Sequence, residues 1–269
     1  MLSQRSFLLE TESAFDVLAR AHKLQSLGNP IINLGIGQPD FQTSAHIVEA
    51  AIRALRDGHH GYTPAPGLPD LKEAVSRYYA DFFDQSVDPG SVMVVPGGKV
   101  TLSFAMMLLG EPGREILYPD PGFPIYRSMA AFTGASPIPY GLDESSGFSF
   151  KADEILEKLT KNTRLIILNS PGNPTGGSNL ESEVKTLVSG LEQYPECAVL
   201  SDEIYSRLHF DGQKHQSLLQ FEGLRDRLIV LDGWSKTYAM TGWRLGWGVW
   251  PKSMIGPATK LAINIHSCV

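Results

Sequence analysis

The chain has 269 residues, enough for one large domain with a buried core. Its 23 basic and 29 acidic side chains leave a net charge of −6 with no basic stripe, which argues against a nucleic-acid surface. No apolar run approaches the ~18 residues of a membrane span, Met1 to Thr11 lacks a signal-peptide core, and Cys197 and Cys268 are too few for a disulfide framework, so a cytoplasmic protein is expected.

Residues 1–40 read as an N-terminal arm and entry loop, and residues 41–269 as one large domain. In the arm, Phe15, Leu18, Ala19 and His22 fall at helical spacing, and Gly28-Asn29-Pro30 stops the run. A short apolar segment, Ile31 to Leu34, enters the loop Gly35-Ile36-Gly37-Gln38-Pro39-Asp40. Val48, Ala51, Ile52 and Leu55 give the next helix one apolar face, closed by Gly58. A third helix starts at Pro69, since proline suits the first turn, and is expected to bury Leu71, Val75, Tyr78 and Phe82. His59-His60 has no spaced carboxylate partner and reads as a solvated turn, so no metal site is expected.

From residue 92 the pattern alternates. Apolar runs recur at 92–96, 115–118, 136–140, 164–168, 197–201, 228–232 and 243–250, with helical stretches between most of them. One helix is expected to start at Ser178 with a capping box to Glu181, presenting Val184, Leu187, Val188 and Leu191 on one face. Continuous apolar runs of this kind suit strands buried on both faces. The expected fold is α/β, three-layered, with a mostly parallel seven-stranded sheet between helices.

In open α/β sheets ligands sit beyond the carboxyl ends of the strands. The loops there are polar in this chain. Pro96-Gly97-Gly98-Lys99 precedes an apolar helix, and two glycines at a helix start bring bare amides to one spot, an anion site by geometry. Asn169 to Gly176 is a rigid loop rich in proline and glycine that holds the Asn173 amide. Asp202 ends a buried strand, where a carboxylate needs a cationic partner. Lys236 follows the sixth run among apolar and aromatic neighbours, where a lysine amine becomes nucleophilic. Each loop alone is an ordinary turn. Rival motifs fail: Asp40 stands where a dinucleotide fingerprint needs its third glycine, no P-loop is present, and Thr237 breaks a nucleophile elbow.

Taken in order, "NSPGNPTG" (169–176), "SDEIY" (201–205) and "SKTYAMTGWRLG" (235–246) resemble the class I aminotransferases of the fold-type I pyridoxal 5′-phosphate (PLP) enzymes. "NLGIGQPDF" (33–41), "GYTPAPGLPDLKEA" (61–74), "PGGK" (96–99) and "PDPGFPIY" (119–126) support the resemblance. It implies that Lys236 forms a Schiff base with PLP and later moves the substrate α-proton. It implies that Asp202 pairs with the pyridine nitrogen, that Tyr205 and Asn173 bond the phenolic oxygen, and that Phe123 stacks on the ring. Gly98, Lys99, Arg244 and Ser235 would hold the phosphate, and Gly37 would approach the substrate carboxylate. Tyr62 would reach the phosphate of a neighbouring subunit, which implies a homodimer. The implied substrates are an amino acid and a 2-oxo acid.

Two departures stand out. Gly233 lies three before the lysine, where many relatives carry a phosphate-binding serine, and Ser235 is the expected substitute. Relatives also continue into a small C-terminal domain with an arginine that grips the substrate α-carboxylate, and no such arginine is assignable here, so a C-terminally truncated member is expected. Other outcomes of the same cradle are a C–S lyase, a cyclase or an inactive truncated PLP-binding paralogue.

Overall fold

Seven strands form one sheet, each at one of the apolar runs: β1 (Val92–Val95), β2 (Glu115–Asp120), β3 (Ser136–Gly141), β4 (Thr163–Asn169), β5 (Ala198–Asp202), β6 (Leu228–Gly233) and β7 (Gly246–Val249). The structure, a computed structural model, describes residues 1–10, 13–210, 212 and 214–269, with the side chains of Ser13 and Phe15 outside that description. The strand order is β1-β7-β6-β5-β4-β2-β3. Strands β2 to β6 run parallel to one another, and β7 is antiparallel to both β1 and β6. The seventh run was expected over 243–250. The strand is shorter because Thr241–Trp243 closes a 3-10 turn and Arg244 takes a left-handed conformation, φ 55°.

Both faces of the sheet are covered, which is why its strands carry apolar residues at successive positions. Along β4, Leu165 and Ile167 face one layer while Ile166 and Leu168 face the other. The first layer contains α4 (Lys99–Leu109), α5 (Ile125–Thr133) and α9 (Lys252–Ile265), packed on Met93, Leu200 and Ile229. The second contains α3 (Pro69–Phe83), α6 (Ala152–Lys158) and α7 (Glu181–Gly190), packed on Val199, Val230 and Trp247. Full burial of each such side chain stabilises the fold by about 1.5–3 kcal/mol. Among the described residues no helix is long and apolar enough to cross a membrane.

Local packing departs from expectation in three helices. In α1 (Ser13–Ser26) Ala21 is buried, whereas Ala19 and His22 are exposed, so the inward face is rotated; Phe15, named for the expected face, has its side chain outside the description. In α3, Pro69 opens the helix as expected and Val75 and Tyr78 are buried. Tyr79 is buried in place of Phe82, its hydroxyl accepting from Trp247 Nε1 at 3.1 Å. Phe82 is 53% exposed, with the Arg207 guanidinium 3.6 Å from its ring centroid. Helix α7 begins at Glu181, not at Ser178, and no side chain caps it. Residues 179 and 180 are held elsewhere: the Asn179 amide donates to Ser170 Oγ and the Leu180 amide to Ser149 Oγ, both at 3.0 Å. Val184, Leu187 and Leu191 are buried as the helical spacing predicts. Helix α2 (Ala45–Arg56) buries none of its residues fully, and Leu55 is exposed; His59 and His60 are exposed beyond its end.

Candidate active site

Parallel register brings the carboxyl ends of β4, β5 and β6 level. Asn169 pairs with Asp202 across β4 and β5, and Asp202 with Leu231 across β5 and β6. The loops leaving these strands therefore rise from one edge of the sheet.

Asp202 is buried at the end of β5. Its Oδ2 accepts from the Tyr126 hydroxyl at 2.7 Å, and its Oδ1 accepts from the Ile204 amide at 3.3 Å. Burial pushes its carboxyl up to about 6, against the opposing effect of these two hydrogen bonds, and the charge of Glu203 pushes it further up. Among the described residues no cationic side chain pairs with it. Such a carboxylate fits a ligand that brings its own N–H cation.

Asn169 couples two strand ends. Its Nδ2 donates to the Asp202 carbonyl at 3.0 Å, and its Oδ1 accepts from the Asn173 amide at 2.8 Å. The next loop is moored by Glu203. Glu203 lies 3.0 Å from His215 Nε2, outside linear hydrogen-bond geometry, and accepts from Ser201 Oγ at 2.7 Å and the Leu218 amide at 3.1 Å. Burial pushes the Glu203 carboxyl up, but the His215 charge and these bonds outweigh it and hold it below the ordinary value. A cleft of about 420 Å³ opens above this loop, lined by Asn173, Pro174, Tyr205, His209 and Phe210, and it does not include Lys236 or Asp202.

Lys236 lies in the short helix α8 (Trp234–Thr237), directly after β6. Its Nζ donates to the Gly37 carbonyl at 2.5 Å and stands 5.9 Å from the Tyr205 ring centroid. The entry loop is thus folded onto the lysine. Ser235 is buried beside it.

Backbone is tightly packed where β1 leads into α4. A Cβ on Gly97, φ +91°, would lie 2.1 Å from Arg244 Nη2, and a Cβ on Gly246 would lie 2.6 Å from the Gly98 nitrogen. Only glycine permits this approach, which sets the Arg244 guanidinium against the N-terminus of α4. Arg244 Nη1 also donates to the Thr241 carbonyl at 3.0 Å. A guanidinium beside a helix N-terminus suits a phosphate. Gly233 is confined too: a Cβ there would meet Gly246 Cα at 3.0 Å and Ile204 Cδ1 at 3.2 Å, so a serine would need its neighbours to give way. Phe123 meets Tyr126 edge-on with centroids 5.7 Å apart, and Lys99 Nζ stands 5.0 Å from the Phe123 centroid.

Of the residues singled out in the sequence, Lys236, Gly37, Tyr205, Asn173, Asp202, Phe123, Lys99, Gly98, Ser235 and Arg244 lie on these strand-end loops or in contact with them. Tyr62 stands apart, 96% exposed. The sequence did not reveal Tyr126, Asn169 or the mooring of Glu203 by His215. Tyr126 lies in a quoted motif, and its polar tip in a buried helix was the available signal.

A lysine after one strand and, at the end of the adjacent strand, a buried carboxylate with no cationic partner among the described residues, on a seven-stranded mostly parallel sheet, define the large domain of fold-type I PLP enzymes. The chain belongs to the family described as aminotransferase class I and II, whose model matches residues 29–268. It is 37% identical over 260 residues to an aspartate aminotransferase of Pyrococcus horikoshii, covering 97% of this chain and 65% of that protein. It is 42% identical over 216 residues to a probable aspartate aminotransferase of Methanocaldococcus jannaschii, covering 80% of this chain and 56% of that one. The crystal structure of the Rhizobium meliloti aspartate aminotransferase superposes with a TM-score of 0.94 at 31% identity, over 100% of this chain and 67% of that one. The chain thus spans somewhat less than two thirds of the length of the first two relatives. Enzymes of this family depend on PLP.

Proposed function

We propose that the chain carries the cofactor site of an aminotransferase that moves an amino group between an L-amino acid and a 2-oxo acid, with Lys236 as the covalent attachment point. The observation that carries this reading is the buried Asp202 carboxylate, which pairs with no cationic side chain among the described residues, one strand away from the lysine-bearing loop. PLP, when bound, supplies an electron sink for a carbanion at the substrate α-carbon. Asp202 would keep the ring nitrogen protonated. Asn173 and Tyr205 would donate to the phenolic oxygen, and Phe123 would cover one ring face. Gly98, Lys99, Ser235 and Arg244 would hold the phosphate at the start of α4. Lys236 Nζ would carry the proton to and from the substrate α-carbon. The entry loop, through Gly37, would adjoin the substrate carboxylate. Residues 41–269 would form the cofactor-bearing unit and residues 1–40 its arm, with Tyr62, exposed on this chain, reaching the phosphate in a second subunit of a dimer.

Borohydride reduction of the PLP-loaded chain followed by peptide mapping tests the attachment. The pyridoxyl group is expected on Lys236 and absent from Lys236→Ala; labelling of another lysine refutes the assignment. Product analysis with a 2-oxo acid acceptor, against cystathionine, separates amino transfer from C–S cleavage.

A further inference from the structure

The Asp202 carboxylate is held from one side by a residue to which neither family motif nor sequence pattern gives a role. Tyr126 lies in α5, fully buried, and its hydroxyl donates to Asp202 Oδ2 at 2.7 Å. Burial, then the Asp202 charge, push the phenol well above its ordinary value, so this hydroxyl stays protonated and acts as the donor. The ring is kept in place by its edge-on contact with Phe123. Around Asp202 the charged neighbours are Glu203, which raises it, and Asp232, whose own carboxyl the Asp202 charge pushes up; Tyr140 and Tyr205 face Tyr126. With Oδ2 engaged by Tyr126, Oδ1 has only the long 3.3 Å bond from Ile204 among the described residues. The two oxygens are therefore unequal: one accepts a short bond from a buried side-chain donor, and the other only a long bond from the backbone.

We propose that Tyr126 is a positioning residue that holds Asp202 ionised and turns its Oδ1 toward the pyridine nitrogen, so that the Tyr126 hydroxyl sets where the proton between carboxylate and ring nitrogen resides. The inference rests on the PLP-binding reading above. Without that hydroxyl, the buried carboxylate becomes the stronger base and draws the proton away from the ring. The ring is then a weaker electron sink, although every group that touches the cofactor is unchanged.

The test loads the chain with PLP labelled with ¹⁵N in the ring and reads the ring-nitrogen chemical shift, alongside PLP affinity, for the parent and Tyr126→Phe. A parent that takes up no PLP at Lys236 sinks the functional reading itself. Given a loaded parent, Tyr126→Phe is expected to move the ¹⁵N resonance toward the unprotonated pyridine value and to weaken PLP binding about tenfold, the scale of one pKa unit. An unchanged resonance in a loaded Tyr126→Phe overturns the proposal. Should that variant not fold, replacing Tyr126 by 3,5-difluorotyrosine keeps the ring and strengthens the donor. The resonance is then expected to move toward the protonated value, and no movement overturns the proposal equally.

Discussion

Replacing Asp202 by asparagine separates what this carboxylate does to the empty protein from what it does for the cofactor. In the PLP-free chain burial raises the carboxyl from 3.8 to about 6. The native state therefore keeps a proton that the unfolded state has already lost, and stability falls as pH rises from about 4 to about 6, then levels. Two units at about 1.4 kcal/mol each amount to about 3 kcal/mol of destabilisation at about pH 8, and to about 1.5 kcal/mol at about pH 5. Asparagine keeps the shape and can still accept from Tyr126, but it cannot ionise. Asp202→Asn is thus expected to be more stable than the parent without PLP, by a margin that grows by about 1.5 kcal/mol between about pH 5 and about pH 8. Urea titrations of the two proteins at both pH values measure that margin; loss of the Asp202 charge also relieves the raised Asp232 carboxyl, which adds to the margin in the same direction. Saturating PLP should reverse the ranking at about pH 8, because on the proposed reading only the parent would supply a counter-charge to the ring nitrogen. A margin without pH dependence in the empty proteins would refute the burial argument, and equal stabilisation by PLP would remove Asp202 from the ring nitrogen.

Arg244→Lys replaces a planar fork by a point charge where the phosphate is proposed to sit and should weaken PLP binding by about 1.5–3 kcal/mol, read by fluorescence titration, with little change in the melt of the empty chain. Gly246→Ala places a methyl 2.6 Å from the Gly98 nitrogen, so the start of α4 must move; a loss of about 1–3 kcal/mol in stability and weaker PLP binding are expected, and an unaltered PLP affinity would contradict the packing described. Glu203→Gln breaks a buried pair with His215 and should destabilise the chain by about 3 kcal/mol in urea titrations near neutral pH. Since the Glu203 carboxyl is held below its ordinary 4.5, its contribution is present above that value and lost as pH falls through the depressed one, so the variant's deficit should shrink in acid.

The strands were legible because a doubly covered sheet needs apolar residues at successive positions, and such runs stand out. Six of them matched closely in extent. The seventh was overextended because Trp243 and Leu245 read as strand residues, while the left-handed turn at Arg244 leaves no apolar signature. The capping box at Ser178 satisfied every local rule, yet Ser170 and Ser149, 9 and 31 residues from their partners, bind the amides of residues 179 and 180. Phe82 fits the helical stripe of α3, but an arginine from a distant loop covers it instead of the core. The strand-end loops drew attention through unusual residues and resemblance. Tyr126 did not, since its hydroxyl meets a partner 76 residues away.

Asp202 and Glu203 are neighbours in the chain, and extended backbone sends their side chains to opposite faces of the sheet. Asp202 looks toward Tyr126 in the α5 layer, while Glu203 looks toward Ser201, His215 and Leu218 on the other side. An acidic pair that reads as one patch of charge is therefore two separate hydrogen-bond circuits on opposite faces, coupled only through charge. On the proposed reading one would govern the electronics of the ring over β5; the other anchors the segment that carries Tyr205. Evolution or an engineer can change the hydrogen bonds of one circuit while the other keeps its geometry, whereas a change of charge at Glu203 also reaches the Asp202 carboxyl.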